Sequence, residues 1–304
     1  MNQRSDVQRL SGTVTATANE TAPKAGGAGK HIVDVLIEER APRLASGPWW
    51  PVLGPVLRAL LDYRKARIMA DAIAQLSGSA ALEHVSKLLR LNVRTRGLER
   101  LPRAGRCIIA ANHPTGVADG VAVYDAVHPI RPDVCFFANA DAHRVCPGFN
   151  DVLIPVAWPA EKRTLQSTKV TVRMAREALE QERAVVIFPA GAIAKRIKGV
   201  IQDPDWEHSA VALARKHEAP ILPASVSGPF PFLFHLFAKL SSELRDITLF
   251  HELLNKVEGD YRLTFGAPID ARAVQGDSEA VTIRLKDYVE RVLPESPDAR
   301  LADR

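Results

Sequence analysis

The chain has 304 residues, 46% of them hydrophobic, 25% charged and 6% aromatic, which excludes a disordered or fibrous protein and supports one large domain or two small ones. A net charge of +5 suits an acidic partner, whether a phosphate ester, an anionic lipid surface or nucleic acid, without choosing among them. No run reaches the ~18 to 20 uninterrupted apolar residues of a spanning helix, and MNQRSDVQRLSGTVTATANE at the N-terminus lacks the apolar stretch of a signal peptide, so a soluble or peripheral protein is expected.

Residues 1–30, rich in Thr, Ala, Gly and Asn and ending in APKAGGAGK, have too little apolar area to order themselves and read as a disordered tail. Residues 31–92 read as an N-terminal helical segment. From His31 to Leu76 apolar residues recur at helical spacing, and Gly47-Pro48 and Gly54-Pro55 divide the run into two or three helices. A further helix follows in ALEHVSKLLRL. Trp49 and Trp50 at the break carry two readings: core packing, or a wedge at a membrane surface with Arg58, Arg64 and Lys65 near lipid phosphate.

Residues 93–304 read as an α/β domain. Its predicted strands are NVRTRGLERLP, then RCIIAA, VCFFAN, VLIPVAW, AVVIFPAG, PILPASVSG and YRLTFGAPI, with helices predicted near 119–128 and 164–181, in DWEHSAVALARKHE and at the C-terminus. Active groups in such folds gather at strand ends. Cys107, Cys135 and Cys146 form no CxxC pair and no metal spacing, which points to buried free thiols in a reducing compartment.

The most informative stretch is RCIIAANHPTGVADG, residues 106–120. A buried strand ends at Asn112-His113-Pro114 and an aspartate follows at Asp119. An imidazole delivered beside a carboxylate, with Gly116 and Gly120 loosening the chain, is the layout of a base oriented by an acid. Such a base activates a hydroxyl, Asp119 holding its tautomer, and the backbone at Thr115–Gly116 is the expected source of oxyanion donors.

Together with FFANADAHRVCPGFNDVLIPV, VVIFPAG and PILPASVSG, this stretch resembles the four ordered blocks of the glycerolipid acyltransferase superfamily. The pattern is nearest the bacterial hemolysin-like or ornithine-lipid-type branch, with its NHPxGxxD and FPAG blocks. The resemblance covers roughly residues 95–270. It implies a central mixed sheet flanked by helices, and transfer of a fatty acyl group from an acyl thioester, acyl-CoA or acyl-ACP, to the hydroxyl of a lysolipid such as lysophosphatidic acid or lyso-ornithine lipid. His113 and Asp119 are the implied catalytic pair. Asn112, Thr115, Gly116, Arg144, Phe188, Pro189, Gly191, Lys195, Arg196 and Pro223 are the implied substrate-binding residues, with no metal and no cofactor beyond the donor. The implied setting is peripheral, on the cytoplasmic side of a membrane, with acyl carrier protein as one possible partner.

Two departures stand out. Five residues, Pro114 to Ala118, separate the histidine from the aspartate where the superfamily usually has four, and Ala190 replaces the usual glutamate of the third block. The missing carboxylate keeps open an alternative, a membrane-associated lipid-binding protein without acyl transfer.

Two further groups bear on substrate contact. Lys195, Arg196 and Lys198 follow the FPAG strand, as a solvated face or as phosphate or carboxylate ligands. GPFPFLFHLFAKL, residues 228–240, is either a core helix or a lip touching acyl chain or membrane. Other chemistries fit less well. ASVSG lacks the first glycine of a nucleophile elbow, HELLN lacks a second histidine, and the few aromatics are not interleaved with basic residues as nucleic-acid binding requires.

Overall fold

The computed structural model describes residues 29–157, 163–197 and 199–301; nearly all of the predicted N-terminal tail, and Lys198, lie outside the described residues. Five helices come first: α1 (Ile32–Arg40), α2 (Pro42–Ser46), α3 (Trp50–Leu60), α4 (Tyr63–Ile73) and α5 (Gly78–Leu89). Pro42 starts α2 at a position where its missing N–H costs nothing. In α4 the buried residues Ala66, Met69, Ala70 and Ile73 follow the i, i+3, i+4, i+7 rule of a helix with one face inward.

The expected break at Gly54-Pro55 does not occur. α3 runs through both residues. Pro55 and Pro51 face solvent, so water can serve the carbonyl that Pro55 leaves unbonded, and Gly54 lies against the Trp50 ring, where a Cβ would stand 3.2 Å from it. The chain turns instead at Asp62, which takes a left-handed conformation (φ 53°).

The strands β1 (Asn92–Arg96), β2 (Cys107–Ala111), β3 (Cys135–Asn139), β4 (Leu153–Val156), β5 (Ala184–Ile187), β6 (Lys195–Ile197), β7 (Val200–Gln202), β8 (Ile221–Ser227) and β9 (Asp260–Phe265) make two sheets. The large one has seven strands in the order β1-β9-β8-β2-β5-β3-β4, and β6 pairs with β7 in an antiparallel hairpin. β2, β5, β3, β4 and β8 run parallel. β9 runs antiparallel to β8, and β1 parallel to β9, so the sheet is mixed. Every residue of β2 and β5 is buried, as expected of central parallel strands covered on both faces.

Helices α6 (Val117–Val127), α7 (Asp141–Val145), α8 (Leu165–Glu180), α9 (Ser209–His217), α10 (Phe232–Ala238), α11 (Ser242–Asp246), α12 (Leu249–Leu254) and α13 (Ser278–Asp287) complete the layers, and α13 continues as a π-helical turn, Tyr288–Val292. One core joins α1, α4, α5 and α6 to one face of the sheet, and a second joins α8, α9 and α13 to the other. The N-terminal helices therefore share a core with the sheet. At the N-terminal end of the strands Arg131, 2% exposed, pairs with Asp133 and donates to the carbonyls of Pro102, Gly105 and Glu182. Cys107, Cys135 and Cys146 are buried free thiols, and burial pushes the first two up to about 11.

Candidate active site

β2 lies between β5 and β8 at the middle of the sheet, so the segment leaving its C-terminal end is delivered to the centre of that edge. Its exit is anchored by Asn112, whose side-chain amide donates to the Val226 carbonyl (3.0 Å) and accepts from the Val226 N–H (2.6 Å). The side chain thus extends the pairing with β8 by one step, and that is where its polar groups are engaged. Gly116 then turns the chain at φ 100°, ψ −146°, a conformation open essentially to glycine alone, and caps α6.

Asp119 is the third residue of α6, fully buried, and gathers four donors. Its Oδ2 lies 2.9 Å from His113 Nδ1 and accepts the backbone N–H groups of Thr115 (2.9 Å) and Gly116 (3.0 Å), while Oδ1 accepts Thr115 Oγ1–H (2.6 Å). The helix N-terminus adds a favourable field. Because a carboxylate only accepts, Nδ1 is the donor of this bond, and in the neutral ring the lone pair then falls on Nε2. The ring lies against Phe188, centroids 4.5 Å apart.

This corrects one expectation. The Thr115 and Gly116 amides do not face the cleft as oxyanion donors, because both are bonded to Asp119. The five-residue spacing gives the loop enough chain to wrap its own N–H groups around the carboxylate.

Three contributors escaped the sequence reading. Tyr261 OH stands 2.8 Å from Thr115 Oγ1, and burial, with the Asp119 charge next, pushes its phenol up. Asp203, 3% exposed, accepts the His113 backbone N–H at 3.1 and 3.2 Å, and Trp206 Nε1–H bonds the same carboxylate at 2.9 Å. None carries a local motif.

His113 opens on a cleft of about 1170 Å³, larger than the ~300 to 1,000 Å³ of most small-molecule sites. Phe188, Pro189, Gly191 and Lys195 line it with His113, so the FPAG segment at the end of β5 forms one wall. Helices α1, α4 and α5 contribute Leu36, Met69, Ile73 and Val85 on one side of the sheet, and α8 and α9 contribute Thr171, Val172 and Leu213 on the other. From the apolar 228–240 stretch Phe234, His235 and Ala238 reach the cleft, while Phe237 is buried in a small cluster with Leu57, Leu61 and Ile247. That stretch is thus part core and part lip.

The other expected residues sit elsewhere. Arg144 is held by Glu39 (2.6 and 2.9 Å) and by Asp141 (3.3 Å). Arg196 lies over the Phe230 ring at 5.0 Å. Pro223 is buried within β8, paired in register with Ala110. Ala190 is buried in the core behind the cleft wall. Among the described residues no group of three or more His, Cys, Asp or Glu side chains is placed to hold a metal ion.

A family model described as Acyltransferase matches residues 68–292, from within α4 to the end of the π-helical turn. The lyso-glycine lipid O-acyltransferase of Phocaeicola vulgatus is 26% identical over 195 residues, 62% of this chain and 68% of that protein. That of Bacteroides thetaiotaomicron is 25% identical over 195 residues, 62% and 70% of the two chains. The solved structure of the 1-acyl-sn-glycerophosphate (LPA) acyltransferase PlsC from Thermotoga maritima aligns with 87% of this chain and 96% of its own at a TM-score of 0.46 and 18% identity. The family match extends over most of the chain and includes both His113 and Asp119: the chain belongs to the acyltransferase family, within the glycerolipid acyltransferase superfamily, and is an O-acyltransferase.

Proposed function

We propose that this enzyme moves a fatty acyl group from an acyl thioester to the hydroxyl of a lysolipid, with His113 as general base. The observation that carries the reading is the His113 Nδ1 to Asp119 bond of 2.9 Å on the wall of a large, mostly apolar cleft. It leaves Nε2 as the one ring nitrogen able to take a proton. In the step proposed, Nε2 removes the acceptor's hydroxyl proton as its oxygen bonds to the thioester carbonyl carbon. The tetrahedral intermediate collapses with cleavage of the C–S bond, and the protonated imidazole returns its proton to the departing thiolate. Asp119 stabilises the imidazolium in between. No enzyme nucleophile takes part.

The relatives named for lyso-glycine lipid favour a lyso-aminolipid acceptor over lysophosphatidic acid. An acceptor of that class presents a carboxylate, and Lys195 on the cleft wall supplies a matching cation. Coenzyme A and acyl carrier protein both remain as donors in this reading.

A membrane surface is the proposed source of the lipid. No helix among the described residues is long and apolar enough to cross a bilayer, yet α3 and its approach expose Trp49 (76%), Val52 (69%) and Val56 (58%), and α10 exposes Phe232 (63%). The two helices share one small cluster, and Arg43 and Lys65 stand exposed on the neighbouring helices α2 and α4. Apolar side chains flanked by cations fit an anionic lipid surface.

The test is incubation of the purified protein with labelled acyl-CoA or acyl-ACP and a panel of lysolipids, following thiol release and acylated product. Release that depends on a lyso-aminolipid supports the reading. Thiol release that no lysolipid stimulates contradicts it.

A further inference from the structure

His113 lies beyond the last paired residue of β2, so the sheet ladder does not hold its main chain. Two contacts from a single excursion of the chain do so instead. The His113 carbonyl accepts from Ala194 N–H (2.9 Å), and the His113 N–H points between the two oxygens of Asp203 (3.1 and 3.2 Å). Ala194 and Asp203 bracket the β6–β7 hairpin. The far side of the excursion is fastened to the FPAG segment that follows β5, since Glu207 N–H donates to the Pro189 carbonyl (2.9 Å).

We infer that Asp203 is a positioning residue for the reaction, fixing the backbone of His113 while Asp119 and Phe188 fix its ring. This rests on the reading of His113 as the base. A backbone N–H needs only one neutral acceptor, and burying a carboxylate for the purpose is costly. The return is a charge-assisted bond, about twice as strong as a neutral one. The carboxylate is itself held: Trp206 Nε1 donates to it at 2.9 Å, and the Asp203 N–H is bonded to Glu290 Oε1 at 2.6 Å. Glu290 belongs to the π-helical turn after α13 and pairs with Lys286 at 2.6 Å, so the C-terminal helix braces the base through Asp203.

The ionisable groups facing Asp203 are His113 from the β2 exit and Glu290, backed by Lys286, from the C-terminal helix. Burial, opposed by the Trp206 and His113 bonds and assisted by the Glu290 charge, moves its carboxyl up to about 6. Protonation would turn one oxygen into a donor facing the His113 N–H, itself a donor, and loosen the grip.

The experiment measures kcat and KM across the pH range for wild type, Asp203→Asn and His113→Ala, with circular dichroism on each. Two ionisations then act on the acid side, so log kcat of wild type falls through an interval steeper than one before it returns to a slope of one. Asp203→Asn should lower kcat by about 10- to 100-fold, leave both KM values within about twofold and reduce the slope to one. A merely structural role would move neither the slope nor kcat apart from KM. The inference is overturned by a wild-type profile nowhere steeper than one, which needs no variant, or by a folded Asp203→Asn protein whose kcat stays within about threefold of wild type. His113→Ala separates the two readings: if it keeps turnover the base assignment fails, whereas if it abolishes turnover and Asp203→Asn does not, only the role of Asp203 fails.

Discussion

Tyr261 donates to Thr115. Their oxygens are 2.8 Å apart, and since the single Thr115 hydroxyl proton goes to Asp119 Oδ1, the phenol must supply the other. A chain of donors therefore runs from β9 through the loop to the carboxylate that orients His113. Thr115→Val should leave Asp119 one donor short and cost about 1–3 kcal/mol of stability, the price of an unsatisfied buried acceptor. Tyr261→Phe removes the outer link alone and should cost less. Chemical unfolding of both variants checks the order, and equal costs would contradict it.

Gly116 is the hinge of the same loop. Any side chain there is strained at φ 100°, and its Cβ would come within 2.9 Å of Ile193 Cδ1. Gly116→Ala should destabilise the fold by roughly 1–3 kcal/mol and lower kcat more than it raises KM, because it displaces the amides that hold Asp119. Thermal denaturation with steady-state kinetics reads both effects.

The pair His113–Asp119 and the FPAG wall were legible in the sequence because each is local: a strand, a glycine-bearing turn and a helix start occupy consecutive residues. The α/β alternation was legible for the same reason in β2 and β5, whose unbroken apolar runs admit burial on both faces. What was hidden is long-range. Tyr261 lies 146 residues from Thr115, and Asp203 lies 90 from His113, so only the fold joins them. Apolar pattern also carries no strand direction, so the antiparallel placement of β9 was beyond it. The β6–β7 hairpin, two three-residue strands in KRI and VIQ, is too short and too polar to read. At Gly54-Pro55 the rule that proline ends a helix failed because solvent reaches the broken step.

Stability should depend on pH through Asp203. Its native carboxyl is moved from 3.8 up to about 6, so between those values the folded chain binds more protons than the unfolded one, and stability falls as pH rises. The contribution is full below 3.8 and gone above about 6. The shift sets the change at no more than about 3 kcal/mol. Urea unfolding at a series of pH values should show wild type losing stability relative to Asp203→Asn across that window; a constant difference between the two would contradict the raised value.

Membrane association should depend on the exposed apolar side chains. Trp49→Glu and Val56→Glu each remove apolar area and add repulsion, and should weaken co-sedimentation with phosphatidylglycerol vesicles by about 10-fold or more. High salt should release part of the wild-type protein by screening its cations. Vesicle binding unchanged in both variants would place the lipid-facing surface elsewhere.

The central claim is that His113 Nε2 removes the proton from the acceptor hydroxyl. The direct measurement is the single-turnover rate of acyl transfer to a lyso-aminolipid by His113→Ala, in a preparation shown by circular dichroism to be folded. The rate should fall by about 10² to 10⁴-fold with donor affinity nearly unchanged, because the ring is asked to move a proton and not to bind a chain. Near-normal turnover in the folded variant would contradict the mechanism and leave His113 a structural residue.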